Sequence, residues 1–545
     1  MHILKKIKKF LGVLLLAGLA TWTFTSPSAE TNLLAAGPFQ PTWESLRQYQ
    51  MPAWFADAKF GIWAHWGPQS APGQGDWYAF NMYHPGSATY EYHLHHYGHP
   101  SQFGFKDIIP LWQAEKFDPD ALAALYKNAG ARYLVALANH HDNFDNWNSR
   151  YQPWNSVNMG PKRDILRLWK DAALKQGLRF GVSIHNINSW GWYDPARGAD
   201  ASGPQAGVRY DGWQTKADGQ GKWWAGYDPA ELYGPPHRPG PTGDAPTPAF
   251  MANWFLRTQD LIDNYQPDIL EFDLASPAKM WRQWVKFENA TNPAVVDDKA
   301  GMLIASHYYN RERQWHAGAD NGIITLKQLP PDRCAAVTLA IEQDYSAGIL
   351  PHPWQHETSM GDWHYRVGDR YMAPDRVVAA LVETVCRNGN LLLNVVQKPD
   401  GTLAGDQAPT LLQVGRWLQL NGEAIYGTRP WRQMGEGPHR MKTLSEFKEQ
   451  NQRPAMPDYN PRDIRFTTKG GFLYAIILAV PDGDTTIHSL AGDPIAGVEL
   501  LGSPATVQWR QTPAGLVIKP LKSWPAESAV VFKIRLSTLP SSQAN

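Results

Sequence analysis

The chain has 545 residues, 43% of them hydrophobic and 12% aromatic, enough to bury a large core and to divide into two domains. Its 51 basic and 51 acidic side chains balance, and no long run of Lys or Arg interrupts the sequence. That pattern argues against nucleic acid or a polyanion as partner and favours a neutral ligand such as a carbohydrate, whose C–H faces stack well on aromatic rings.

The N-terminus, MHILKKIKKFLGVLLLAGLATWTFTSPSAE, places four lysines before an apolar stretch from Phe10 to about Ala20, with small residues up to Ala29. This is the pattern of a secretory signal peptide over residues 1–29. The apolar core is shorter than the about 20 residues of a membrane span, so the expectation is a secreted or periplasmic, soluble protein with no integral membrane domain. Cys334 and Cys386 are too few for a disulfide framework; they either pair or both remain buried thiols. Oligomeric state is left open.

Beyond the leader, short apolar runs ending in polar residues alternate with helix-like stretches. The candidate strands are FGIWAHWG (60–67), YLVALANHHD (133–142), RFGVSIHN (179–186), DILEFD (268–273), MLIASHYYN (302–310), VTLAIEQD (337–344) and LLLNV (391–395). Before the second strand, DPDALAALYKNAGAR reads as a helix capped by Asp118 and stopped by Gly130. Before the third, RDILRLWKDAALKQGLR reads the same way and stops at Gly177. Such βα units with functional groups at strand ends predict a (β/α)8-like catalytic barrel over residues 40–433, with its active site on the C-terminal face. A doubly wound open sheet is the alternative, but no glycine-rich phosphate loop follows the first strand. Residues 196–250, rich in Gly, Pro, Asp and Trp, predict a long insertion lying over the active-site face. From 434 to 545, short strands separated by turns predict an all-β sandwich domain.

The stretch NHHDNFDNW (139–147) has the residue types of a zinc or non-haem iron site. Adjacent residues leaving a strand point to opposite sides, however, so shared ligation by His140 and His141 is disfavoured and a grip on sugar hydroxyls is preferred, with His65 as a third member. His93, His95 and His96 suit a surface metal site only weakly. Among carboxylates, the strand period of two puts Glu271 and Asp273 on one side, Asp273 nearest the strand end. Glu342 closes its strand in the same manner, and Glu357 lies in the polar, aromatic PWQHETSMGDWHYR. A nucleophile and a proton donor facing one another at about 5–5.5 Å are what a retaining glycosidase requires.

FADAKFGIWAHWGPQSAP and GDWYAFNMY, then ANHHDNFDNWNSRYQPWNSVNMGPKRDIL, then YQPDILEFD, then NGNLLLNV with PDGTL, and WLQLNGEAIYGTRPW resemble, in the same order from about 50 to 431, the retaining α-L-fucosidases of glycoside hydrolase family 29. The resemblance implies a (β/α)8-like barrel, a C-terminal β-sandwich, no metal and no organic cofactor. It implies Asp273 as nucleophile, His65, His140 and His141 as ligands of the sugar hydroxyls, and Trp77 beside the pocket. The reaction it implies is double displacement through a covalent glycosyl-enzyme.

Several positions depart from the family pattern. Trp354-Gln355 stands where many members have Trp-Glu, and an amide cannot serve as the acid/base. Glu342 is the first choice for that role and Glu357 the second. Asp76 replaces a common glutamate, and Ser183, Ile184 and His185 replace aromatic residues after the third strand. Asp76, Trp77, His185 and Trp354 are the further candidates for substrate contact. Asn143, Asp145 and Asn146, where relatives commonly read HHDGF, suggest a pocket that has altered what it holds. The expected function is a secreted exo-acting α-L-fucosidase. An exo-α-L-galactosidase, a carbohydrate-binding pseudoenzyme and a metal-dependent hydrolase are the alternatives.

Overall fold

The computed structural model describes residues 34–235, 246–273, 299–327, 335–443 and 456–537. Eight parallel strands close into a barrel: β1 (Phe60–Ala64), β2 (Tyr133–Asn139), β3 (Arg179–Ile184), β4 (Ile269–Phe272), β5 (Ile323–Lys327), β6 (Thr338–Glu342), β7 (Trp354–Ser359) and β8 (Gly389–Asn394), with β8 pairing back onto β1. Helices cover the outer face while side chains fill the lumen, which is why β1, β2, β7 and β8 are buried along their whole length. On the β1–β2 side the lumen is apolar. Tyr133 and Trp63 pack there, and any side chain on Gly61 would collide with the Tyr133 ring. The β3–β7 side is polar, with Ser183, Glu271, Thr325 and Thr338 at one register level across four strands.

The helices Pro119–Asn128 and Ile165–Lys175 start at the predicted caps, where Asp118 and Asp164 accept from the amides of Ala121 and Arg167. Strand assignment needed correction in the second half of the barrel. MLIASHYYN is not a strand but the middle of the helix Lys299–Trp315, because a short apolar run buried on nearly all sides carries no period that separates helix from strand. The fifth strand is instead IITLK. The seventh, WQHETS, lacks an apolar run because polar side chains of this strand pair inside the fold: His356 Nδ1 lies 2.8 Å from Thr384 Oγ1 on the outer side, and Gln355 Nε2 donates to Glu357 Oε1 at 2.9 Å in the lumen.

The C-terminal domain comprises β9 (Arg429–Glu436), β10 (Ile464–Lys469), β11 (Phe472–Ile477), β12 (Thr485–Ile487), β13 (Ile495–Leu500), β14 (Trp509–Thr512), β15 (Gly515–Ile518) and β16 (Val530–Leu536). They form an antiparallel five-stranded sheet in the order β13-β16-β11-β10-β9 and a three-stranded sheet β12-β15-β14. The expected boundary at 434 falls inside β9. Alternation along β11 sends Leu473, Ala475 and Ile477 into the core between the sheets, and Tyr474 and Ile476 into the core shared with the barrel. At this junction Glu383 is fully buried between Arg387 and Arg465, and Arg465 Nη2 reaches it at 2.6 Å. Burial pushes its carboxyl up, but the two guanidiniums outweigh that and hold it down at about 2. Cys386 is a buried thiol beside this cluster, while Cys334 lies outside the described residues.

Candidate active site

A cavity of about 460 Å³ opens at the C-terminal ends of the strands. His65 follows β1, His140 and His141 follow β2, His185 follows β3, Asp273 follows β4, and Lys327 and Glu342 end β5 and β6; all seven line it. Each of these six strands thus contributes from at or just past its last hydrogen-bonded position, where a side chain can leave the packed lumen and meet a ligand.

One wall is made of imidazoles. His65 packs against His364 and His140 with ring centroids 4.6 and 5.0 Å apart. Gln69 Nε2 lies 2.7 Å from His140 Nδ1, and His364 Nδ1 lies 2.8 Å from Asp76 Oδ1. Burial, reinforced by neighbouring imidazoles, holds His65 and His140 well below the usual histidine range, and burial brings His185 down to about 3. These three rings are therefore neutral near pH 7 and recognise a ligand by hydrogen bonds. An aromatic rim adjoins them: Trp77 meets Trp192 edge-on at 4.7 Å, and Trp63 meets Trp363 at 5.3 Å. Trp77 takes the left-handed conformation at φ 61°, a backbone cost of the kind found where a side chain must be aimed at a ligand.

The opposite wall carries charge. Lys327 Nζ contacts Asp273 directly, lies 2.7 Å from Glu342 Oε2 and 3.7 Å from Glu357 Oε2. Burial pushes the Asp273 carboxyl up, yet the Lys327 ammonium, with His185 and His141, prevails and holds it well below the ordinary range. His141 Nε2 sits 3.2 Å from Asp273 Oδ2. Beneath them Glu271 is fully buried and, chiefly through desolvation, pushed up to about 8; Glu357 is raised for the same reason. The site therefore combines an ionised carboxylate, a second carboxyl across one ammonium, and neutral hydrogen-bonding rings beside stacking aromatics. That combination suits attack on the anomeric carbon of a sugar.

A family model described as alpha-L-fucosidase matches residues 27–423. The chain belongs to the α-L-fucosidase family. It is 28% identical to the rat (Rattus norvegicus) tissue alpha-L-fucosidase over 530 residues, covering 93% of this chain and 95% of that protein. It is 30% identical to the human (Homo sapiens) plasma alpha-L-fucosidase, covering 74% and 75%. Among solved structures, the Thermotoga maritima alpha-fucosidase in complex with a mechanism-based inhibitor superposes with a TM-score of 0.67 at 26% identity, over 91% of this chain and 99% of that one.

Within this α-L-fucosidase fold, the structure brings together His65, Asp76, Trp77, His140, His141, His185, Asp273 and Glu342, all named from the sequence. Two others lie elsewhere. Trp354 starts β7 at the far end of the barrel, fully buried, its Nε1 donating to Arg387 O at 3.0 Å; a strand's first residue cannot reach a pocket at its last. Glu357 is closed off inside the lumen at 0% exposure, whereas the Glu342 side chain is 35% exposed at the cavity. Asn143, Asp145 and Asn146 do not enlarge the pocket's polar lining. Asn143 takes the left-handed conformation at φ 63°, as glycine readily would, and its amide donates to Glu231 O and Leu232 O in the inserted segment at 3.0 and 2.9 Å. Asp145 pairs with Arg257, and Asn146 donates to Trp66 O and Leu137 O. The described part of the insertion packs beside the pocket and contributes no lining residue: Asp211 accepts from Tyr83 and Lys106, and Trp154 donates to Asp228 O.

Lys327, Asn188, Trp192 and Trp363 line the cavity without having been singled out. Lys327 carried the strand-end signal that found Asp273, but its strand was unrecognised. The nitrogens of His65, His140 and His364, and of His140, His141 and His185, lie within 4.8 Å of one another, a spacing a divalent ion also accepts. Gln69 engages His140, Asp76 engages His364 and Asp273 engages His141, which fixes the orientation of these rings. His93, in contrast, turns inward to Tyr78 Oη and Phe103 O, away from His95 and His96 as a shared site.

Proposed function

We propose that the protein releases terminal α-L-fucosyl residues by double displacement, with Asp273 as nucleophile and Glu342 as acid/base. The observation that carries this reading is the meeting of both carboxyl groups at one ammonium, Lys327 Nζ. Sharing one ammonium holds the two carboxyls close together, which suits the about 5–5.5 Å of a retaining pair better than the about 6.5–9.5 Å of an inverting pair. Asp273, kept ionised by Lys327, attacks the anomeric carbon. Glu342 gives its proton to the departing oxygen. Once Asp273 is esterified, the ammonium loses that charge partner and favours the carboxylate form of Glu342, which suits the second step, in which Glu342 takes a proton from water. The neutral rings of His65 and His140 supply donors and acceptors to the ring hydroxyls, and Trp77 and Trp192 stack on the apolar face of the sugar. The leader-like residues 1–29 support export, with action outside the cytoplasm.

His185 and Asn188 on the cavity wall favour a second reading, α-L-galactoside hydrolysis, because a polar group there accepts a hydroxymethyl in place of a methyl. Paired kcat/KM values on aryl α-L-fucoside and aryl α-L-galactoside decide between them. On the preferred substrate, Glu342→Ala should lose about 10²–10⁴-fold with a poor leaving group and far less with an activated phenol. Glu357→Ala should show no such dependence on leaving group. A uniform loss in Glu342→Ala would reassign the acid/base, and sugar binding without cleavage of any substrate would make the protein a binding module.

A further inference from the structure

Directly under the nucleophile lies a chain of hydrogen-bonding groups that the reaction above does not use. Ser183 Oγ is 2.5 Å from Glu271 Oε2 and 2.7 Å from His185 Nε2. The other ring nitrogen, His185 Nδ1, points to Asp273 Oδ2 at 3.7 Å and has no hydrogen-bond partner, although the residue is almost wholly buried. Taking the glycosidase reading as given, we propose that Glu271 is a positioning residue for the reaction: acting through Ser183, it sets the tautomer of His185 that presents an Nδ1–H to Asp273 and to the bound sugar.

Ser183 has a single proton, so the chain has two self-consistent arrangements. In the first, Glu271 donates its carboxyl proton to Ser183 Oγ, Ser183 donates to His185 Nε2, and a neutral ring must carry its proton on Nδ1, facing the Asp273 carboxylate. In the second, Glu271 is a carboxylate, Ser183 donates to it, His185 Nε2–H donates to Ser183, and the Nδ1 lone pair faces the nucleophile's negative charge. Burial favours the acid form of Glu271, and so does the Asp273 carboxylate, which also attracts an Nδ1–H. The groups facing Glu271 are Asp273 just past the end of its own strand, His185 past β3, Lys327 on β5, Glu342 on β6 and Glu357 on β7. Of these, Lys327 opposes the acid form and the carboxylates favour it. Raising the pH through the Glu271 transition, near about 8, reverses every bond in the chain and turns a donor beside Asp273 into an acceptor.

The test is the pH profile of kcat/KM on an α-L-fucoside whose phenolate leaves without a proton, so that the acid/base makes no alkaline limb. The wild-type protein should lose activity with a one-proton slope around pH 8. Glu271→Gln, whose amide donates to Ser183 and does not titrate, should stay within about threefold of wild type at pH 6 and lose that limb. Ser183→Ala should be about tenfold slower throughout and equally flat. Imidazole ¹⁵N shifts of His185 in histidine-labelled wild-type protein should read Nδ1–H at pH 6 and Nε2–H at pH 9.5, a readout independent of whether any variant folds. An unchanged limb in Glu271→Gln, or an Nε2–H ring at pH 6, overturns the proposal. Absence of α-L-fucoside turnover in the wild type would instead remove the functional reading, and the ¹⁵N titration would still decide the tautomer.

Discussion

Two clusters of charge, one at the barrel mouth and one where the barrel meets the β-domain, both join carboxyl groups to basic side chains and behave in opposite ways. At the mouth, one ammonium, Lys327, is surrounded by the carboxyls of Asp273, Glu342, Glu357 and Glu271. At the junction, one carboxylate, Glu383, is held by two guanidiniums, Arg387 and Arg465, and by Tyr459 Oη at 2.7 Å. Desolvation acts on both, so the ratio of charges decides the outcome. Where acids are in excess, Glu271 and Glu357 are pushed toward the protonated form while Asp273 is driven to ionise. Where bases are in excess, Glu383 is ionised and inert. The lesson is that an undercompensated cluster stores protons for chemistry and an overcompensated one fixes structure.

Removing the central acid from each cluster should separate the two roles. Asp273→Gly should lower turnover by roughly 10⁴-fold, about 5 kcal/mol of transition-state stabilisation, and azide should restore part of it by attacking the vacated anomeric face. Near wild-type rates in that variant would sink the mechanism. Glu383→Gln should leave kcat/KM of the folded protein unchanged and cost about 3 kcal/mol in denaturant unfolding, because two buried guanidiniums lose their counter-charge. The sign of its pH dependence follows from a folded value below the unfolded one. The Glu383 contribution is present above about pH 4.5 and fades as pH falls toward about 2, so wild type and variant should converge in acid. The smallest effect concerns neither cluster. Asn143→Gly keeps the left-handed backbone, deletes the bonds to Glu231 O and Leu232 O and removes the Oδ1 that accepts from Arg257 Nη1, so it should cost about 2 kcal/mol and raise protease sensitivity in 196–235 with kcat/KM preserved. A large fall in kcat/KM would mean that this polar stretch serves the pocket after all.

The first half of the barrel was legible because β1 to β4 obey the apolar-run rule and each ends in a residue with chemistry. His65, His140, His141, His185 and Asp273 could all be named on that rule. It failed where burial and polarity part company. WQHETS is buried along its whole length, yet carries glutamine, histidine, glutamate and threonine, because the lumen and an adjoining helix pair those groups. Missing β5 hid Lys327, the residue that joins the two proposed catalytic carboxyls. The role given to Asn143, Asp145 and Asn146 erred for a related reason: the sequence places them beside the histidines, but the fold turns Asn143 to the inserted segment, Asp145 to Arg257 and Asn146 to the backbone of Trp66 and Leu137.

The shared core at the junction bears on how this molecule can be dissected. Trp417 donates to Ala529 O at 2.8 Å, and Tyr474, Ile476 and Val531 complete the apolar packing of the barrel's own helices. A gene truncated at about residue 428 would therefore uncover a hydrophobic flank together with the Glu383 cluster, and the product should be recovered as aggregate. For expression, crystallisation or fusion design the practical unit runs through β16, and the barrel cannot be treated as an independent cassette.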